Sequence, residues 1–287
     1  MAAAASVDDL LPGDHACLTY SDAEERLDIV AAFVRDGLGA GQRVICFTDP
    51  SAAPDLAGEL ADRDVKPTNG GQLAIRDNDD AWLSGGRVSA TNMIEMLSGE
   101  LAAAHRDGFA GLRVTADMCW ATRPVAAVDE LLVFETRVAG LFADGRLTTV
   151  CQYDRQLFDQ VTLAFAAKAH ARAVAAAVYY EDPLLRICRQ HAPPGVRLAG
   201  EIDYRRVPEL NQALAEALRL GGDIHVNLTH LTFMDAAAAA SVGQAALSLP
   251  SGRAMAIVCR RAVHKVLDLV GVTSQVAVRV RLTDGRP

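Results

Sequence analysis

Strand-like runs with no polar face alternate with helical runs through the first half of the chain, and this alternation constrains the fold most tightly. In Arg43-Val-Ile-Cys-Phe-Thr48 consecutive residues are apolar, so both faces of the strand must be covered. Such strands belong to parallel sheets with helices on both sides. His15-Ala-Cys-Leu-Thr-Tyr20, Leu112 to Cys119 and Leu147 to Tyr153 read as further strands. Between them apolar residues recur at helical spacing: Leu27, Val30, Ala31, Val34 and Leu38 before the stop Gly39-Ala-Gly41, then Met93, Ile94, Leu97, Leu101 and Ala104, then Val125 to Phe142. Ser21-Asp-Ala-Glu24 reads as a capping box opening the first helix, and Leu157 to Ala177 reads as a closing helix. The expected class is α/β, with a RecA-like parallel sandwich in the N-terminal half.

The pattern changes between Asp182-Pro183 and Pro193-Pro194-Gly195, which places a junction near residue 183 and two domains at 1–182 and 184–287. Strands Leu185 to Arg189 and Val196 to Ala199 pair around the Pro-Pro-Gly turn. A helix from Pro208 to Leu220 sets Leu210, Leu214 and Leu218 on one side, with proline where its missing N–H does no harm. Strand 224–229, helix 236–249, strand Ala254 to Cys259, helix Val263 to Val270 and a strand from Val276 to Leu282 complete a smaller α/β domain.

A chain of 287 residues accommodates two ordinary domains, and 51% apolar with 22% charged residues is a globular composition. The formal net charge of −8, with Arg scattered and Lys sparse, argues against a nucleic-acid surface. Leu163 to Tyr180 is interrupted by Lys168, His170 and Arg172, so no membrane span is expected. The N-terminus lacks a basic n-region, so a cytoplasmic protein with reduced cysteines is expected. The six cysteines contain no C-x-x-C pair.

Phe233-Met-Asp-Ala-Ala-Ala238 lies between a strand-like run and an apolar helix. With Gly200-Glu-Ile-Asp203 and Leu267-x-x-x-Gly271, it resembles the STAS domain of anti-sigma factor antagonists. That resemblance implies a kinase-like anti-sigma factor as partner, docking around Asp235, Ala236 and Ala237. It also implies a phosphorylatable serine at the position held here by Ala236, and a glycine at that of Ala238. A phosphate there would add nearly two negative charges beside Asp235, but Ala236 has no hydroxyl to accept one. Control of such a module must come from elsewhere, and the N-terminal half is the candidate.

Four motifs in order, Gly13-Asp-His15-Ala-Cys17-Leu-Thr-Tyr20, Asp117-Met-Cys-Trp120, Phe134-Glu135 and Cys151-Gln-Tyr153-Asp154, together resemble the MEDS domain over residues 6–182. That family is proposed to sense small hydrocarbon derivatives and is seen in regulators of one-carbon metabolism. Ala169-His170-Ala171 stands where the family often has His-Pro, and Asp182-Pro183 where it often has Asn-Pro. Both departures are expected at the end of the domain, away from the pocket motifs.

A RecA-like phosphate loop needs glycines whose N–H groups surround the phosphates and a lysine to meet their charge. The turn Tyr20-Ser-Asp-Ala-Glu-Glu25 has neither, and carries three carboxylates. Gly37-Leu-Gly39-Ala-Gly41 precedes a strand and reads as a helix stop. Nucleotide hydrolysis is not expected, and no catalytic residue, cofactor or metal ligand set is assigned. Parallel sheets bind ligands beyond the C-terminal strand ends, and side chains two apart share a face. On that basis His15, Cys17, Tyr20, Asp117, Trp120, Glu135, Cys151 and Tyr153 are the candidate site for a small organic ligand.

Alternatives stay open. The cysteines also fit plain core positions. His15, Cys17, Cys119 and Cys151 fit a metal, haem or thiol-redox sensor, and the Cys17–His15 pair a degenerate RecA-like enzyme. Glu135 lies inside the stripe Val128, Leu131, Leu132, Val138 and Phe142, so its carboxylate must be paired or neutral. Its partner is either a ligand, His15, or Arg113 in a fixed ion pair. The leading reading is a non-enzymatic cytoplasmic regulator, with a homodimer left open.

Overall fold

The computed structural model describes residues 5–50, 52–67, 69–83, 88–123 and 128–283. The chain divides into two compact units, Met1–Ala175 and Ala176–Pro287. The first contains β1 (His15–Tyr20), α1 (Ala23–Gly39), β2 (Arg43–Thr48), α2 (Ala53–Asp62), β3 (Leu73–Asp77), α3 (Asn78–Trp82), α4 (Ala90–Arg106), β4 (Leu112–Asp117), α5 (Val128–Arg137), β5 (Leu147–Asp154), α6 (Gln160–Ala169) and β6 (Arg172–Val174). Its strands form one sheet in the order β3-β2-β4-β5-β1-β6, parallel at every pairing. This is the α/β class the alternation implied. Because β4, β5 and β1 are neighbours, Cys17 faces Cys151, and Ala116 faces Cys151 from the other side. Cys17, Val114, Cys151 and Tyr153 pack with Met93, Leu97, Leu131, Phe134 and Leu163 of α4, α5 and α6 in one apolar core.

Several boundaries differ from the sequence expectation. The helix cap after β1 is Asp22, whose carboxylate accepts from Glu25 N at 2.9 Å, and not Ser21. The helix expected from Val125 is described from Val128, residues 125–127 lying outside the described part, and it tightens to a 3-10 turn at Val138–Phe142. The helix expected to run to Ala177 stops at Ala169. The chain then turns extended because β1 has an open ladder edge: Ala171 N donates to the His15 carbonyl, and β6 pairs with Ala16 to Leu18. Alanine-rich helix propensity loses to a strand partner.

The second unit contains β7 (Val178–Glu181), β8 (Leu185–Gln190), β9 (Gly195–Ile202), α7 (Val207–Leu218), β10 (Ile224–Met234), α8 (Ala236–Leu247), β11 (Met255–Cys259), α9 (Arg261–Leu269) and β12 (Val278–Leu282). Its sheet runs β12-β11-β10-β9-β8-β7, with β7, β8 and β9 antiparallel and the rest parallel. The sequence put the junction at Asp182-Pro183. It lies earlier because Val178–Glu181 hydrogen-bonds to β8 and so enters the second sheet. Asp182 instead shapes the β7–β8 turn, accepting from Leu184 N and Leu185 N at 2.8 Å and from the Tyr180 hydroxyl at 2.7 Å. Gly195 starts β9 where a Cβ would fall 1.9 Å from the His225 carbonyl oxygen, so only glycine fits. Strand β10 is longer than 224–229, passing two register shifts on its way to Met234. Among the described residues no helix is long and apolar enough to cross a membrane.

Candidate functional site

The predicted ligand residues separate into two groups in the first unit. The inner group is built on β1, β5, α5 and the end of α6. Glu135, on the buried face of α5, receives the Tyr153 hydroxyl at Oε1, 2.5 Å away. Its Oε2 lies 3.3 Å from His15 Nε2 and 3.3 Å from His170 Nε2. Cys151 Sγ lies 3.6 Å from the same His15 nitrogen. The His15 ring stacks on Phe142 at 4.6 Å and packs against His170 at 4.0 Å.

Burial acts to raise the Glu135 carboxyl, but His170, His15 and the Tyr153 hydroxyl outweigh it and hold the group below the usual carboxylate range. Burial pushes the His170 imidazole down to about 4, against the pull of Glu135. Burial, with Glu135 nearby, pushes Cys17 up to about 11 and Cys151 well above its ordinary value. These thiols are protonated at neutral pH, which is poor preparation for a nucleophile.

Two expectations are corrected here. Arg113 is not the partner of Glu135; its guanidinium donates to the Phe33 carbonyl at 2.9 Å and lies over the Phe33 ring. The inner group also does not sit at the C-terminal strand ends. His15 is the first residue of β1 and Cys151 lies within β5, so the cluster lies beneath the sheet, between strands and helices. His170 is the residue the sequence reading missed. It stands where the MEDS pattern has its late histidine, a position set aside as remote from the pocket. The end of α6 and the pairing of β6 with β1 bring it back onto His15.

The outer group is at the C-terminal strand ends. Arg26 of α1 donates to Gln152 Oε1 at 2.6 Å and to Asp117 at 3.4 Å, and lies 5.5 Å from the Tyr20 ring centre. Asp117 accepts from Cys119 N at 2.9 Å, and its carbonyl accepts from Asn78, which in turn receives the Trp82 indole N–H. Burial and the Asp117 charge push the Tyr20 hydroxyl and the Cys119 thiol upward. Trp120 is 0% exposed and packs in the apolar core of the first unit. Cys119 belongs with Asp117 and Tyr20, so His15, Cys17, Cys119 and Cys151 do not form one ligand set.

In the second unit Asp235 caps α8. Its Oδ1 accepts from Ala238 N at 2.9 Å and its Oδ2 from Tyr204 N at 2.8 Å. Ala236 and Ala237 are exposed on the first turn, and the Phe233 and Tyr204 side chains are exposed near them by 50% and 62%.

With this geometry in place, comparison with known families is decisive for the first unit. The family model of the MEDS domain (MEthanogen/methylotroph, DcmR Sensory domain) matches residues 14–171, more than half of the chain. The chain belongs to the MEDS family. A second model, described as "Mlab, STAS domain", matches residues 185–280, so a MEDS domain is joined to a STAS domain. No curated protein matches the sequence significantly. Among solved structures the chain is similar to the KaiC-like protein PH0186 from Pyrococcus horikoshii OT3, with 13% identity, TM-score 0.46, and 66% of this chain and 79% of that chain covered. It is also similar to the flagellar accessory protein FlaH from Methanocaldococcus jannaschii, with 10% identity, TM-score 0.44, and 69% and 93% covered.

Proposed function

We propose that the protein is a non-enzymatic cytoplasmic regulator in which the MEDS domain takes a small-molecule input and the STAS domain docks a kinase-like anti-sigma factor. The observation that carries this reading is the start of α8. Asp235 holds the cap, the first turn is exposed and flanked by Phe233 and Tyr204, and Ala236 stands where the STAS resemblance implies a phosphoacceptor serine. A docking surface is present without its covalent off-switch, so control passes to the other domain.

The turn after β1 supports the non-enzymatic part. Asp22 already takes the Glu25 N–H at the start of α1, with Glu24 and Glu25 in its first turn, where a nucleotide phosphate would need to bind. The protonated thiols speak against cysteine catalysis.

The test uses full-length protein to capture an anti-sigma factor of kinase fold, followed by incubation of the complex with ATP. Stable binding without phosphate transfer to residues 229–241 is expected. Ala236→Asp, which sets a second carboxylate beside Asp235, weakens the complex. Phosphate recovered on Thr232, whose hydroxyl donates to the Gly200 carbonyl, or on Ser241 of α8 would mean the switch was moved. Failure to bind any such factor overturns the output half of the reading.

A further inference from the structure

The His15–Glu135–Cys151–His170 cluster contains a contact that hydrogen bonding does not satisfy. His170 Nδ1 is 2.7 Å from the Ala166 carbonyl, which can only accept, so the ring hydrogen is on Nδ1. Nε2 is then the ring nitrogen that faces Glu135 Oε2, 3.3 Å away, and both atoms are buried without a hydrogen-bond partner. Two polar atoms so placed, shielded from water, are atoms that a bound cation would satisfy.

The remaining geometry suits a cation as well. One donor atom from each of His15, Glu135, Cys151 and His170 lies within 4.8 Å of all the others, and all four residues are buried. A tetrahedral zinc ion with bonds of about 2.0–2.1 Å to nitrogen and oxygen and about 2.3 Å to sulfur has ligand–ligand edges of about 3.3 Å and 3.6 Å. Three of the six edges match, 3.3 Å from each histidine to the carboxylate and 3.6 Å from His15 to sulfur, and all six lie within 4.8 Å. Outer contacts also orient the ligands as metal ligands are usually held. Ala166 fixes the His170 tautomer, and the Tyr153 hydroxyl turns Glu135 so that Oε2 faces the cluster.

We infer that these four residues form a binding site for a divalent transition-metal ion of the zinc class, through His15 Nε2, His170 Nε2, Glu135 Oε2 and Cys151 Sγ. Two imidazoles, a thiolate and a carboxylate suit zinc, cobalt or iron and not the oxygen-seeking magnesium or calcium. Loading forms a metal–sulfur bond, breaks the Cys151 S–H bond and releases that proton to solvent, with no change of oxidation state. The set differs from the metal alternative read from sequence, because Glu135 and His170 replace Cys17 and Cys119. The inference rests on the sensory reading only in saying what the input site holds; binding itself is measured without reference to output.

The experiment is a Zn2+ titration of full-length, chelator-treated protein in competition with a chromophoric chelator, paralleled by Co2+ absorption spectra. One ion per chain is expected, and the Co2+ form shows a thiolate charge-transfer band with the strong visible bands of tetrahedral cobalt. Cys151→Ser removes the charge-transfer band, and both it and His170→Gln weaken Zn2+ binding at least tenfold; Cys119→Ser changes neither. Absence of stoichiometric binding, a wild-type Co2+ spectrum without the thiolate band, or affinity unchanged in both variants overturns the site. Circular dichroism identifies a variant that fails to fold, in which case the wild-type spectrum decides alone. Zn2+ bound at this site with no effect on anti-sigma factor affinity would leave the site standing and refute its sensory role.

Discussion

Replacing Asp235 by alanine removes two interactions at once, and their separate sizes can be worked from the structure. Oδ1 caps α8 through Ala238 N, and loss of an N-cap carboxylate costs about 1 kcal/mol. Oδ2 receives Tyr204 N at 2.8 Å and ties the segment leading into α7 to the start of α8, and a hydrogen bond to a charged acceptor at this exposed site adds a further ~1 kcal/mol. The total of about 2 kcal/mol corresponds to a fall of roughly 8 °C in the melting temperature of a unit this size. Asp235→Asn keeps the cap but can present its amide N–H2 to the Tyr204 N–H, so it loses about half as much. Both tryptophans, Trp82 and Trp120, lie in the first unit. Tryptophan fluorescence therefore follows that unit as an internal control, while calorimetry of the full chain follows both. The expected result is a calorimetric transition that moves down in the order wild type, Asn, Ala, with fluorescence melting unchanged. An alanine variant within 0.5 °C of wild type, or a fluorescence transition that moves equally, would refute the argument that Asp235 acts as a local structural tie.

Other expectations follow from single positions. Calorimetry with ATP should detect no micromolar affinity, and a signal lost on mutating residues 20–25 would contradict the reading of the acidic turn. Ala236→Ser should restore phosphate transfer from the captured kinase, read by mass spectrometry, whereas continued failure would mean the surrounding turn is also unfit. Gly195→Ala should prevent β9 from pairing with β10, costing upwards of about 3 kcal/mol through the clash with the His225 carbonyl; a normal melting curve would show that the backbone yields there. Burial holds the Cys46 thiol at about 12 and the Cys17 and Cys259 thiols at about 11, so alkylation at pH 8 should be slow until the chain unfolds. Fast labelling of the folded protein at any of the three would contradict that.

Local chemistry was legible in the sequence because it depends on neighbours along the chain. The doubly apolar run at β2, the helical spacing of α1 and α4, the glycine-free turn after Tyr20 and the missing hydroxyl at Ala236 each fix a property without reference to distant residues. Periodicity also showed that Glu135 is buried, and hence that it needs a partner. It did not show which partner, because a pattern of faces says nothing about which element covers them. Arg113 and His15 were equally open, and only the packing of α1 on the sheet gave Arg113 to the Phe33 carbonyl. His170 was harder still, since the alanines around it favour helix and a mid-helix histidine points nowhere in particular. The free edge of β1 ended that helix, and the strand order β5-β1-β6 then brought His170, His15 and Cys151 from distant parts of the chain to one point. The same competition between propensity and ladder partners set the domain junction, for Val178–Glu181 joined the sheet that offered it hydrogen bonds. The sequence thus determined the kinds of elements and the chemistry each could carry, while tertiary pairing decided which residues meet, because long-range hydrogen bonding and burial are resolved only when the strands choose their neighbours.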